Sequence, residues 1–425
     1  MGNTQTNKSY GWKPIAIIGV LFFIMGFITW LNATLIPYLK LACELSNFES
    51  FFVTFAFYIS YFVMALPSSW VLNKTGFKNG MSLGLILIGV GSLIFIPAAY
   101  TRVYELFLFG LFMQGTGLAV LQTAANPYVT ILGPIESAAK RISIMGTANK
   151  IAGIISPIVL GVFVLKGIDK LEESLIGMSV IDKSNELDLL AKKVITPYLI
   201  MGLILFVLAI LIRFSTLPKI SDETDNLVDT ELKDSNKNIF SYTYLWFGVL
   251  AIFIYVGVEV IAVDTLISYG KWWGFEMSKA KFFSSITMTA MIVGYFTGII
   301  TIPKYLKQDK ALSLFSVLGI LFSILAIITT NFTSVLFIAL LGFANSIMWP
   351  AIWPLAIDGL GKFTKIGSAL LVMAIAGGAL IPLLYGYFAD IADTRIAYWI
   401  LIPGYIYLLF FAIKGHKIGK KLKEK

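Results

Sequence analysis

The chain has 425 residues, of which 58% are hydrophobic and only 13% charged, whereas a soluble domain is nearer half apolar and a quarter charged. Its net charge of +9 would suit nucleic acid, but the placement of the basic residues argues against that partner. A single cysteine, Cys43, excludes an intrachain disulfide, and with His416 as the only histidine neither a zinc cluster nor a His-based triad can be assembled.

A bilayer core of about 30 Å needs about 20 mainly apolar residues per helix. In chain order such stretches fall at 15–39, 51–72, 81–100, 105–130, 142–165 and 195–214, then at 243–269, 283–302, 311–330, 333–357, 367–388 and 396–414. They are numbered spans 1 to 12. The first run is too long for a signal peptide and no small-residue cleavage site follows it, so it is expected to stay as a span. The polar, acid-rich segment 216–241 reads as a linker. It divides a six-helix domain at 15–215 from a second at 242–414, with residues 1–14 and the basic 415–425 as tails. Residues 167–193 form another polar stretch, expected as a loop with some amphipathic helix.

The side carrying both tails and loops 2–3, 4–5, 8–9 and 10–11 holds 17 Lys and Arg, against 6 in the short loops opposite. The positive-inside rule places both termini in the cytoplasm. His416, in the basic tail, is expected to be solvated.

Two fragments recur between the halves. Residues 34–40 (TLIPYLK) end span 1 and 265–271 (TLISYGK) end span 7; 152–161 in span 5 aligns without gaps to 377–386 in span 11. Parallel six-helix repeats produce such matches, and in such proteins substrate binds near the midplane between domains that rock against each other.

Ionisable groups inside spans are costly and are functional candidates by default. Lys150, Glu259 and Asp264 qualify. At 1.5 Å per residue Lys150 lies about 12 Å from its cytoplasmic edge, Glu259 about 24 Å and Asp264 about 32 Å. A Lys150–Glu259 ion pair is one reading, against which the depths leave the two about 12 Å apart along the membrane normal, and Lys150 can alternatively snorkel to the surface. Asp264 is equally readable as an interfacial residue. Glu259 and Asp264 point about 140° apart, so both face one cavity only if span 7 is broken there.

Neutral polar groups form stripes. Gln114, Gln122 and Asn126 share a face of span 4, and Asn345, Trp349 and Trp353 share one of span 10. Asn32 on span 1 and Asn149 on span 5 add amides. Amides match sugar hydroxyls and flat aromatic rings match the C–H faces of a sugar. The competing readings are helix–helix hydrogen bonding for the amides and interfacial anchoring for the tryptophans.

The run 121–137 (LQTAANPYVTILGPIES) resembles the fucose permease branch of the major facilitator superfamily, close to its glucose/galactose subgroup. Residues 47–80, 141–153, 255–270 and 348–368 extend the resemblance over nearly the whole chain. The loop 2–3 motif is degenerate, with Ser69 where a Gly is usual and Asn73 where an Asp is.

The resemblance implies an all-α integral membrane protein with twelve helices in two pseudo-symmetric domains, a central sugar site, a bacterial inner-membrane location and usually proton-coupled uptake; import of a neutral hexose by cation symport is the expected activity, with uncoupled facilitation of fucose or another sugar, or export on the same fold, as the alternatives. It is expected to be a monomer without cofactor or nucleic-acid partner, taking H⁺ or Na⁺ as co-transported ion, and not an enzyme. Fucose-type members carry acids where this chain has Ala33 and Gln122. Neither titrates, so the coupling is read as shifted to span 7, through Glu259 with Asp264 and Lys150 as accessory charges. Asn32, Gln122, Asn126, Asn149 and Asn345 are read as sugar ligands, and Trp349 and Trp353 as stacking platforms.

Overall fold

The computed structural model describes residues 12–131, 138–215, 217, 238–302, 305–360 and 363–420. Most of the 216–241 segment and the extreme tails lie outside the described residues. Among the described residues there is helix and no strand, and twelve helical stretches are long and apolar enough to cross a membrane. With no water in the bilayer core, only a helix satisfies every backbone donor and acceptor within one segment.

Four spans are interrupted. Span 1 is Trp12–Thr29 followed by Asn32–Ala42, and span 7 is Thr243–Asp264 followed by Leu266–Trp272. Span 10 is Asn331–Asn345 followed by Met348–Ile357, and span 11 carries a 3₁₀ turn, Ala374–Ala376, between Thr364–Met373 and Gly377–Ile391. A hydroxyl sits at each of the first three interruptions. Thr29 Oγ1 donates to the Met25 carbonyl, Thr265 Oγ1 to that of Ile261 and Ser346 Oγ to that of Phe343. Such back-bonding competes with the helical ladder and bends helices. In span 10, Pro350 adds a second cause, because its ring clashes with the carbonyl four residues earlier, that of Ser346.

The remaining spans are Phe52–Leu72, Lys74–Thr101, Tyr104–Ile131, Ala138–Val164, Ile195–Phe214, Phe283–Thr301, Gln308–Ile328 and Leu401–Ile413. Two short helices, Ile168–Leu175 and Val180–Lys192, occupy the polar stretch between spans 5 and 6, as its sequence predicts. His416 departs from expectation. It is 5% exposed, with Nδ1 2.9 Å from the Phe411 carbonyl, because the chain after span 12 turns back onto the helix end instead of leaving into solvent.

The faces of the bundle are called here the linker side, where Phe214 and Thr243 lie, and the far side. Polar contacts between the first six spans and the last six fall at mid-depth and on the far side. Lys271, at the outer end of span 7, pairs with Asp169 at 2.7 Å and Glu172 at 2.6 Å. Asp169 also accepts from the Met277 N–H. The Asp390 carboxylate, at the end of span 11, accepts from the N–H groups of Asn47 (3.0 Å) and Phe48 (2.7 Å). Deeper in, Ser285 Oγ of span 8 donates to the Ile154 carbonyl of span 5. The contacts of Lys271, Asp169 and Asp390 hold the two halves together on the far side. A cleft of about 660 Å³ beside these contacts is lined by Lys40, Glu44, Asn47, Glu172, Lys271 and Trp272, and by none of the intramembrane charges.

Burial raises the Asp169 carboxyl, but bonds from Lys271 and the Met277 N–H outweigh it and hold the group below the usual carboxylate range. This contribution is thus present above that range and is lost as pH falls through the lowered value.

Glycine sets the closest approaches. A Cβ at Gly377 would stand 1.7 Å from the Phe253 carbonyl oxygen of span 7, whereas one at Gly146 would meet nothing within 4 Å. Gly377→Val should destabilise the protein by about 1–3 kcal/mol or more, read as an earlier thermal transition in detergent, and Gly146→Val should leave that transition within error.

Candidate transport site

Glu259 lies sixteen residues into span 7, about 24 Å along the helix. The structure does not keep Lys150 away from it. The two side chains, 9% and 10% exposed, form an ion pair at 3.0 Å. The sequence-derived separation fails for a physical reason: the helix of span 5 begins at Ala138, not 142, which deepens Lys150 by about 6 Å. The long, flexible lysine stem covers the rest. Lys150 therefore does not snorkel to the surface; its charge is turned into the bundle and joins the two halves.

Its surroundings come from span 1. The Lys150 ammonium lies 4.5 Å from the centroid of the Trp30 ring, where a π face attracts a cation. Trp30 Nε1 donates to Asn149 Oδ1 at 3.5 Å, and Asn149 Nδ2 donates to the Phe22 carbonyl at 3.3 Å. Asn149 thus ties span 5 to span 1 and positions the ring against which Lys150 rests. Gly26 allows this approach, since a Cβ there would lie 2.2 Å from the Asn149 carbonyl oxygen.

On the other side of the pair lies an aromatic group. Tyr255 is one turn before Glu259 and shares its face; its ring centroid is 6.3 Å from that of Trp349, which is 5.1 Å from that of Trp353. Both tryptophans are half-buried in the bundle. Tyr58, Tyr255, Tyr295 and Tyr405 lie within electrostatic reach of Glu259. Sequence reasoning missed these tyrosines and Trp30. Only the i, i+4 spacing of Tyr255 to Glu259 and of Tyr58 to Phe62 on an aromatic face offered a local signal, and it is shared by many ordinary packing positions.

The remaining expected residues divide. Asn345 is fully buried, accepting from the Tyr405 hydroxyl at 2.9 Å while its Nδ2 has no partner. Asn32 is fully buried and neither of its amide atoms has a partner. Gln122 is half-buried, and the side chain of Asn126 lies outside the described residues. Gln114 donates to Ser92 Oγ at 3.1 Å, so it joins spans 3 and 4 and belongs to helix packing.

Asp264 is not interfacial: it is 0% exposed, and neither carboxylate oxygen has a hydrogen-bond partner. The interruption of span 7 falls one residue past it. The break therefore does not swing the two acids onto one face; Glu259 turns to Lys150, and Asp264 is sealed where the halves of span 7 join.

The Major Facilitator Superfamily profile matches residues 18–373. A glucose/galactose transporter of Brucella abortus is 33% identical over 417 residues, covering 97% of this chain and 96% of that protein. A putative glucose/galactose transporter of Helicobacter pylori is 33% identical over 416 residues, 96% of this chain and 98% of the other. The L-fucose-proton symporter of Escherichia coli is 30% identical over 94% of this chain and 91% of its own length. A crystal structure of the E. coli fucose:proton symporter superimposes with a TM-score of 0.69 at 28% identity, over 97% of this chain and 100% of that one. The chain belongs to the major facilitator superfamily: it is a multi-pass membrane transporter and not an enzyme.

Removing one partner of a buried ion pair strands the other and costs about 3–5 kcal/mol, whereas replacing both by neutral groups is often close to neutral. Lys150→Met should therefore lower the thermal transition in detergent well below that of the double variant Lys150→Met/Glu259→Gln. Equal transitions would mean that the pair carries no interaction.

Proposed function

We propose that this major facilitator superfamily member imports a neutral hexose of the glucose/galactose class by cation symport, its two six-helix domains, 15–215 and 242–414, rocking about a site at mid-depth. The observation that carries the reading is the buried Lys150–Glu259 pair beside the Tyr255–Trp349–Trp353 aromatic group. An internally neutralised pair leaves no net charge to attract an ionic substrate, and ring faces with nearby amides suit a polyhydroxylated neutral one. The names of the relatives agree with a hexose.

In this reading the basic linker side is cytoplasmic and the far side external. Trp349 and Trp353 form the platform for the sugar's apolar face. Gln122, Asn126, Asn149, Asn32 and Asn345 supply donors and acceptors; the unpartnered amide atoms of Asn32 and Asn345 are groups that a hydroxyl would satisfy. Glu259, released from Lys150, is the group that answers the co-transported cation. The fucose–proton relatives favour H⁺, and the protein acts as a monomer in the inner membrane.

The experiment is uptake of labelled glucose and galactose into proteoliposomes under separately imposed proton and sodium gradients. Accumulation under one gradient names the ion, and equilibration without accumulation would replace symport by facilitation. Glu259→Gln is expected to lose accumulation while retaining sugar exchange; undiminished accumulation would remove Glu259 from the coupling. A neutral hydrogen bond contributes about 0.5–1.5 kcal/mol, so Gln122→Ala should raise KM about two- to tenfold without abolishing transport.

A further inference from the structure

The far-side cleft of about 660 Å³ takes no part in the site at mid-depth, and its size is that of a small-molecule pocket. Its walls come from both halves and meet where the recurring segments 34–40 and 265–271 end. Repeat-related residues line it in pairs: Pro37 with Ser268, Lys40 with Lys271 and, one residue on, Leu41 with Trp272. The positions correspond and the chemistry does not. At these positions the second half alone contributes a hydroxyl and an indole.

The cleft is balanced in charge. Lys183 pairs with Glu44 at 2.6 Å, and Lys271 with Glu172 at 2.6 Å and Asp169 at 2.7 Å, while Lys40 donates to the side-chain oxygen of Asn47. Three ammonium groups against three carboxylates leave no net charge to select an ion, yet they keep lone pairs and N–H groups for the hydroxyls of a neutral ligand. Trp272 stacks on Tyr269 with ring centroids 5.9 Å apart and is 43% exposed. A ring held on one side and open on the other suits the C–H face of a pyranose. Ser268 Oγ, in the cleft wall, is buried without a hydrogen-bond partner.

Glu44 adds a conformational argument. Its φ of +55° lies in the left-handed region, which glycine enters at least cost at a helix end. Its ion pair is open to solvent, with 50% of the Glu44 and 42% of the Lys183 side chain exposed, and such pairs contribute little to stability. Stability alone therefore favours glycine at this position, and a carboxylate kept against that preference fits a group retained for binding.

We propose that the far-side cleft is a second sugar site, in which a neutral hexose rests on Trp272 and bonds to the Glu44–Lys183 and Glu172–Lys271 pairs before it reaches mid-depth. The choice of a hexose rests on the transport reading above.

A thiol in the cleft wall reports occupancy. Leu175 lines the cleft and is half-buried. Leu175→Cys on a Cys43→Ser background, in detergent, should react more slowly with a small maleimide as glucose or galactose is added. Trp272→Ala and Glu44→Gly should each raise the half-protecting concentration about two- to tenfold. Glu44→Gly should do so without lowering the thermal transition, which separates lost binding from lost folding. Trp349→Ala, which removes part of the mid-depth platform, should leave the half-protecting concentration unchanged. Absence of protection by both hexoses overturns the proposal, as does protection lost with Trp349 and kept without Trp272, or protection by the zwitterion glycine betaine in place of hexose. Protection without hexose uptake into proteoliposomes would fault the transport reading and leave this site standing; uptake without protection would do the reverse.

Discussion

Lys150 and Glu259 meet in the interior of the bundle, one on span 5 and the other on span 7, with no more than a tenth of each side chain exposed. Much of the arrangement follows from the cost of charge in such a place. An isolated ammonium or carboxylate there would lose hydration that nothing replaces. Paired at 3.0 Å, with the ammonium also over the Trp30 ring, the two charges are tolerated. The pair thereby couples the first six spans to the last six at mid-depth. Asn149, Phe22 and Gly26 act through it, because they hold Trp30 and let span 1 come close to span 5.

The same constraint explains why the two acids of span 7 differ. They are five residues apart on one helix, yet one has a counter-charge and the other has no polar partner. A helix turns about 100° per residue, so five residues take the second acid off the face that meets span 5. One acid meets a lysine, and the other is enclosed without a polar partner. This difference needs no difference in residue chemistry, only in what the neighbouring helices bring.

Ion pairs and carboxylate-to-backbone bonds join the halves on the far side, and Lys150 to Glu259 and Ser285 to Ile154 join them at mid-depth. Spans 1, 7 and 11, which take part in this seam, are interrupted, as is span 10, and three of the four interruptions carry a serine or threonine bonded back to its own helix. Broken helices supply backbone groups and local freedom where a membrane protein must rearrange around a ligand. Rocking of the halves and local bending at these points are compatible motions of one scaffold.

Much of this was legible in the sequence. Twelve apolar runs, too long and too free of charge for a soluble core, determine the all-helical membrane architecture, because the bilayer leaves the backbone no other way to satisfy itself. The cost of intramembrane charge singles out Lys150, Glu259 and Asp264 from the sequence alone. What sequence could not decide was how they meet. Depth counted from an apolar edge put Lys150 too shallow, since the helix starts in the polar residues before that edge and the lysine stem is long and flexible. Asp264 is as readable interfacial as buried, because its distance along the chain says nothing of the residues of span 8 and of Tyr398 that pack beside it. The role of Tyr255 beside Trp349 and the use of Gln114 for packing against Ser92 likewise depend on residues distant in sequence. Sequence determined which groups are expensive to bury; the tertiary structure decided which of them are paired, because pairing depends on the rotation and tilt of separate helices that no periodicity along one chain records.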